Sequence, residues 1–238
     1  MKKILLIILS ILLITGCKKE DNTIVMVTEA GFAPYEYYEN GEIVGVDIEI
    51  AKEIAKALGK ELIVKDIAFD FIINELKSGK ADFAAAGMSV TEERLKEVDF
   101  SIEYTTSKQV VLVNNNSNIN SINNIYNKKI AVQLGSVADL YFTENYPKAN
   151  IIRQKKYLSM IEDLKANKID LIVMDYLPAQ QIMEHNKELK ILNGHVIEDS
   201  YGIAVNKGNG ELLKTINEVL DRLIKENKIS EYIIKYSD

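Results

Sequence analysis

Cysteine occurs once in the 238 residues, tryptophan never, proline three times and histidine twice. A single Cys excludes an intrachain disulfide and a thiolate metal cluster. His185 and His195 are far apart and read as ordinary polar residues, so no metal centre or other cofactor is expected. Basic residues are outnumbered, 29 Lys and Arg against 35 Asp and Glu, for a formal net charge of −6. That balance argues against nucleic acid, which asks for a basic stripe. No glycine-rich phosphate loop occurs. The one long apolar run, Ile4 to Ile14, is too short to span a bilayer as an ordinary helix.

That run instead reads as an export signal. Met1-Lys2-Lys3 is a basic start, and Ile14-Thr15-Gly16-Cys17 resembles the lipobox of bacterial lipoproteins. The resemblance implies cleavage after residue 16 and acylation of Cys17, with palmitate-type chains. Losing residues 1–16 removes Lys2 and Lys3 and takes the formal charge from −6 to −8. Residues 17–22 then form a polar tether. An extracytoplasmic protein held to the membrane by lipid alone is expected.

The remaining chain, with 47% hydrophobic and 27% charged residues overall, is globular in composition. Ile24–Thr28, Glu61–Lys65 and Asp82–Ala86 read as strands. Between them, a helix capped by Asp47 ends at Gly59, and a short helix over Phe69–Ser78 ends at Gly79. Asn40-Gly41 marks a turn between extended segments. This order is the β-α-β signature of a mostly parallel sheet. Further strands are expected at Gln109–Val113, Lys129–Leu134, Ile151–Ile152, Asp170–Met174 and Tyr201–Asn206. Helices are expected at Val137–Tyr146, through Leu164, after Asp175 with Pro178 in the first turn, and over Leu212–Ile224, before a short final helix. The Asn-rich stretch 114–127 reads as an ordered loop.

A weak repeat organises these elements. Leu76-Lys77-Ser78-Gly79-Lys80-Ala81-Asp82 resembles Leu164-Lys165-Ala166-Asn167-Lys168-Ile169-Asp170. Each is a helix end, a turn tolerant of a left-handed backbone, then a buried strand. Equal distances onward reach Gly87 and Asp175, at equivalent carboxyl ends of strands in two similar lobes. Ligands of open α/β sheets bind beside such ends. The stretch Ala85–Arg94 is a strand, a turn at Gly87 and a new helix capped by Thr91. Its free N–H groups, the Ser89 hydroxyl and the Arg94 fork fit a carboxylate; pairing of Arg94 with Glu92 or Glu93 is the plainer alternative. Facing Asp175, this turn fits a zwitterionic amino acid.

Seven segments in order carry a family resemblance. They are Phe32–Glu36, Gly45–Ile48, Leu76–Asp82, Ala86–Arg94, Val98–Ser101, Lys129–Ser136 and Tyr201–Val205. Together they resemble the family 3 solute-binding proteins of bacterial ABC importers for polar amino acids. The resemblance implies an α/β, two-lobed periplasmic-binding-protein type II fold, with crossovers near Tyr104–Ser107 and Asp199–Tyr201. Lobe one would comprise residues 22–104 and 201–238, lobe two residues 105–200. It implies that Arg94 grips the α-carboxylate, helped by Ser136, and that Asp175 takes the α-ammonium. The Gly87 backbone and Ser89 would touch the ligand, and Phe32 and Phe69 would flank its side chain. Val137 follows Ser136 where many relatives have a second hydroxyl, and Ala86 is apolar where some have one.

Each role has a plainer counterpart: core aromatics for Phe32 and Phe69, a strand-end cap for Asp175, a helix cap for Ser136. Glu29, at a strand end, and Gln133, facing cleft or solvent, set specificity in this reading. An acid beside an uncharged amide favours a cationic side chain, Arg or Lys, with Gln or cystine as alternatives. The expected partners are a free amino acid and the permease and ATPase subunits of an importer, and a monomer is expected. No enzymatic activity is expected, although cyclohexadienyl dehydratases, acting on prephenate or arogenate, share the fold.

Overall fold

The computed structural model describes residues 22–237. The signal segment, Cys17 and most of the tether lie outside the described residues. Among the described residues no helix is long and apolar enough to cross a membrane, and no cluster of acids, His and Cys fits a metal.

Two sheets carry the molecule. The first runs Glu61–Asp66, Thr23–Thr28, Phe83–Ala84, Ala204–Asn206, Val98–Phe100. Its first three strands are parallel and the last two join antiparallel. The second runs Asn150–Gln154, Lys129–Gln133, Leu171–Asp175, Thr105–Asn114, Leu189–Ile191, and Ile197–Tyr201 also pairs with Thr105–Asn114. It too is parallel over three strands and antiparallel at the crossover strands. Helices flank both sheets. This is the two-lobed, type II binding-protein fold, with each lobe a flanked sheet and two strands crossing between them.

The first sheet takes a strand from near the chain's end, which a linear reading joins to the wrong partner. Tyr201–Asn206 was expected as one strand. Instead Tyr201 ends a strand of the second sheet, the chain crosses at Gly202 and Ile203, and Ala204–Asn206 enters the first. Sequence periodicity does not register a change of partner within one extended run. The helices Gly210–Lys225 and Lys228–Ser237 return to the first lobe. Ion pairs join them to the helix Val46–Leu58, from Arg222 to Glu53 at 2.6 Å and from Lys235 to Glu49 at 3.2 Å. Beneath them Ile50, Ile54, Ile216 and Leu220 are fully buried. Each such side chain contributes about 1.5–3 kcal/mol over leaving it exposed.

A third, small sheet, Gly31–Phe32, Glu36–Glu39 and Glu42–Val44, leans over the cleft. Asn40 and Gly41 turn its hairpin with φ of 51° and 86°, the left-handed pair a tight hairpin needs. Asp47 departs from expectation. The helix begins at Val46 behind Gly45, so Asp47 lies inside the first turn, fully buried, rather than at the cap. Only glycine fits at position 45: φ is 131°, and a Cβ there would sit 2.1 Å from the Tyr35 carbonyl oxygen.

The short helix is also different in detail. It opens as a 3-10 turn over Phe69–Phe71 and becomes α-helical only over Ile72–Lys77. Gly79 and Asn167 have φ of 69° and 54°, so both halves of the repeat use the left-handed turn. The Asn-rich loop holds a 3-10 turn at Ile122–Asn124 and buries Ile119 and Ile125.

Candidate functional site

The carboxyl ends of the two sheets face each other across the cleft. The turn after Phe83–Ala84 is fixed from behind, where the Gly87 N–H donates to Asp47 at 2.9 Å. Asp47 also accepts from the Tyr104 hydroxyl at 2.7 Å, so it ties the turn to the first crossover. Gly87 has φ 50°, and a Cβ would approach the Phe32 ring to 2.6 Å. Thr91 caps the helix Glu92–Glu97, accepting from the Arg94 N–H at 3.2 Å. This cap aims Arg94 back into the cleft, where it is 4% exposed. Its guanidinium donates to the Ser89 carbonyl at 2.6 Å and, across the cleft, to the Gly135 carbonyl at 3.0 Å. It also lies 5.3 Å from the centre of the Phe69 ring. Burial lowers its pKa to about 10, opposed by Asp199 and Asp175. No side-chain pairing with Glu92 or Glu93 is present at this arginine among the described residues.

On the other lobe, Ser136 caps the helix Val137–Asn145, accepting from the Asp139 N–H at 3.2 Å. Asp175 ends its strand fully enclosed, accepting from the Ser107 hydroxyl at 2.6 Å and from the Tyr201 hydroxyl. Burial pushes its carboxyl up, and these two hydroxyls pull it back. Gln133 faces the cleft and donates to Glu29 at 3.1 Å. Glu29 also pairs with Lys156 from the second lobe. Its burial raises its pKa against the pull of both partners.

All nine residues singled out from sequence border one narrow cavity between the sheets, with about 20 Å³ of water-accessible space in this closed state. These are Glu29, Phe32 and Phe69, then Gly87, Ser89 and Arg94, then Gln133, Ser136 and Asp175. That space has room for about one water, so the lobes must part for an amino acid to enter. The aromatic arrangement is particular. Phe32 stacks on Tyr157 of the second lobe, centroids 5.6 Å apart at 24°, while Phe69 lies against Arg94. Contacts from Arg94, Glu29 and Phe32 thus bridge the two lobes, so the cleft is closed.

Sequence reasoning missed Tyr157, Glu36 and Lys156. Tyr157 and Glu36 line the cavity; Lys156 reaches it through Glu29. Glu36 stands in the Phe32–Glu36 segment, and its position before an alternating hairpin was the available signal. It is 1% exposed and lies against Asp47. Burial, then the Asp47 charge, holds Glu36 protonated well above the carboxylate range. Burial raises Asp47 to about 6. A carboxyl raised on folding stabilises the fold below its unfolded pKa and loses that contribution as pH rises through the folded value. Glu36→Gln keeps a donor toward Asp47 without the charge. Its melting temperature is expected to match wild type below pH about 4 and to exceed it increasingly as the pH rises above the unfolded carboxyl value of about 4.3. Thermal melts across pH check this; parallel curves would remove the buried proton.

Comparison with known proteins fits this geometry. The sequence profile of the bacterial extracellular solute-binding proteins, family 3, matches residues 24–238. The arginine-binding extracellular protein ArtP of Bacillus subtilis is 30% identical over 219 residues, spanning 91% of this chain and 84% of that protein. The glutamine-binding protein GlnH of the same organism is 33% identical over 201 residues, 83% of this chain and 74% of that protein. A crystal structure of AbpA from Streptococcus pneumoniae, bound to L-arginine, superposes with a TM-score of 0.85 at 31% identity. It covers 90% of this chain and 94% of that one. The family match and these relatives, all substrate-binding transport proteins, define a solute-binding protein of the amino-acid ABC-transporter class. The chain belongs to the bacterial extracellular solute-binding proteins, family 3.

Proposed function

We propose that this protein closes on one L-amino acid with a cationic side chain and delivers it to an ABC permease from a lipid tether at Cys17. The observation that carries the reading is the buried Arg94, whose guanidinium, among the described residues, hydrogen-bonds carbonyl oxygens and no carboxylate, bordering a small cavity with Asp175. A fork of donors on one lobe and a carboxylate on the other match the two ends of a zwitterion. Neither lobe holds both ends, so a ligand that spans the cleft adds contacts to both lobes at once and favours closure. Lobe one is residues 22–104 and 201–238, and lobe two residues 105–200. The importer's permease and ATPase subunits are the partners, and the protein acts as a monomer.

Support for a cationic side chain comes from charge. Glu29 and Asp175 line the cavity with Arg94, while Glu36 is held protonated; with Arg94 and Asp175 matched to the two α-groups, Glu29 is the acid left for the side chain. Lys156, half exposed, already lies 3.8 Å from Asp66. An entering guanidinium or ammonium takes Glu29, and Lys156 moves to Asp66. The arginine-binding relatives agree with this choice. The Glu29–Lys156 pair favours a second reading, a neutral amide such as glutamine that leaves the pair intact.

Calorimetry against Arg, Lys, His, Gln and cystine separates them. Arg or Lys is expected to bind at least about tenfold tighter than Gln, a gap of about 1.4 kcal/mol. Tight binding of Gln or cystine beside silent Arg, Lys and His would reject the cationic side chain and keep the amino acid. No binding to any would reject both.

A further inference from the structure

The crossover strands carry acids that the roles above leave unused. Thr105–Asn114 pairs with Leu171–Asp175 on one side, Gln109 opposite Asp175, and with Ile197–Tyr201 on the other, Ser107 opposite Asp199. Alternate residues of a strand share a face. Ser107, Gln109, Asp175, Asp199 and Tyr201 therefore gather on one side of the sheet. Asp199 accepts a hydrogen bond from the Ser89 hydroxyl of the first lobe. Its other oxygen, Oδ1, is buried with no partner among the described residues. The Gln109 amide nitrogen, on a side chain 1% exposed, is likewise unpartnered. It stands beside both carboxyls and favours their ionised forms.

We propose that Asp199 is a positioning residue for ammonium recognition, holding the Ser89 hydroxyl and adding negative charge behind Asp175. This rests on the amino-acid reading of the cleft. Ser89 lines the cavity; Asp199 does not. A hydroxyl has one proton and two lone pairs. With its proton given to Asp199, Ser89 presents only lone pairs to the cavity, so it accepts from an ammonium and repels a carboxylate. Asp199 thereby orients the ligand: ammonium toward Ser89 and Asp175, carboxylate toward Arg94.

The electrostatics point the same way. Asp199 is pushed up to about 7 by burial and then by Asp175, against the pull of Ser89, Arg94 and Gln109. Tyr201 and Tyr157 also face these acids and feel both charges. Two carboxyls enclosed with one guanidinium leave a net negative charge that disfavours an uncharged or anionic occupant. An α-ammonium offsets that charge.

The test compares the tightest-binding amino acid with its deaminated acid, which lacks only the α-ammonium, in wild type, Asp199→Asn and Ser89→Ala. Asp199→Asn is expected to weaken the amino acid about tenfold or more and the deaminated acid less than about twofold. Ser89→Ala is expected to do the same, and the double variant to lose little further, because the two act as one unit. Equal losses for both ligands would make Asp199 merely structural and overturn the proposal, as would an unchanged amino-acid affinity. If wild type itself fails to prefer the amino acid over the deaminated acid, the amino-acid reading fails instead.

Discussion

Arg94→Ala is expected to lower amino-acid affinity on the order of 100-fold or more, with the fold intact. Removing one member of a buried, hydrogen-bonded charge pair costs about 2–5 kcal/mol, because the other charge stays enclosed and unpaired. The ligand carboxylate would be that charge, since no other cation among the described residues lines the cavity. The loss is not confined to Coulombic attraction. The guanidinium also bridges from the Ser89 carbonyl to Gly135 on the opposite lobe, so the alanine variant loses a contact that favours closure. Arg94→Lys keeps the charge without the planar fork and is expected to recover only part of the affinity. Titration calorimetry, with circular dichroism to confirm folding, reads this directly. Full affinity in Arg94→Ala would remove the guanidinium from the site.

Asp175→Asn is expected to weaken binding by about 10- to 100-fold. The substitution keeps size and leaves an oxygen able to accept from Ser107 or Tyr201. What it removes is negative charge against a buried ammonium. Burial already raises this carboxyl, so it is ionised at a cost that a cation offsets. The same variant should gain relative affinity for the deaminated acid, which brings no ammonium. Calorimetry with both ligands checks the sign; equal weakening of both would place Asp175 in the structure rather than in recognition.

Local chemistry made much of this site legible. Thr91 reads as a cap from its place before Glu92 and Glu93, and the cap sets the direction of Arg94. Gly79 and Asn167 mark matching turns, and counting onward from them pairs Gly87 with Asp175. Non-local features were not legible. The change of sheet at Gly202 depends on which strand lies alongside, and no periodicity records that. Asp47 looked like a cap because the steric demand at Gly45 comes from Tyr35, ten residues away. Lys156 reaches Glu29 across 127 positions. Asp199 belongs to the cleft only through its register opposite Ser107. The spacing of Asp199 and Tyr201, polar groups two apart leading into the expected strand Tyr201–Asn206, was the one hint.

In the proposed function, the two ends of an amino acid, not its side chain alone, draw the lobes together. Paired calorimetric titrations of the preferred amino acid and its decarboxylated amine measure this most directly. The amine keeps the side chain and the ammonium but offers nothing to Arg94. The expected result is tight binding of the amino acid and an affinity for the amine lower by about 100-fold or more. Equal affinities would contradict a site built around Arg94.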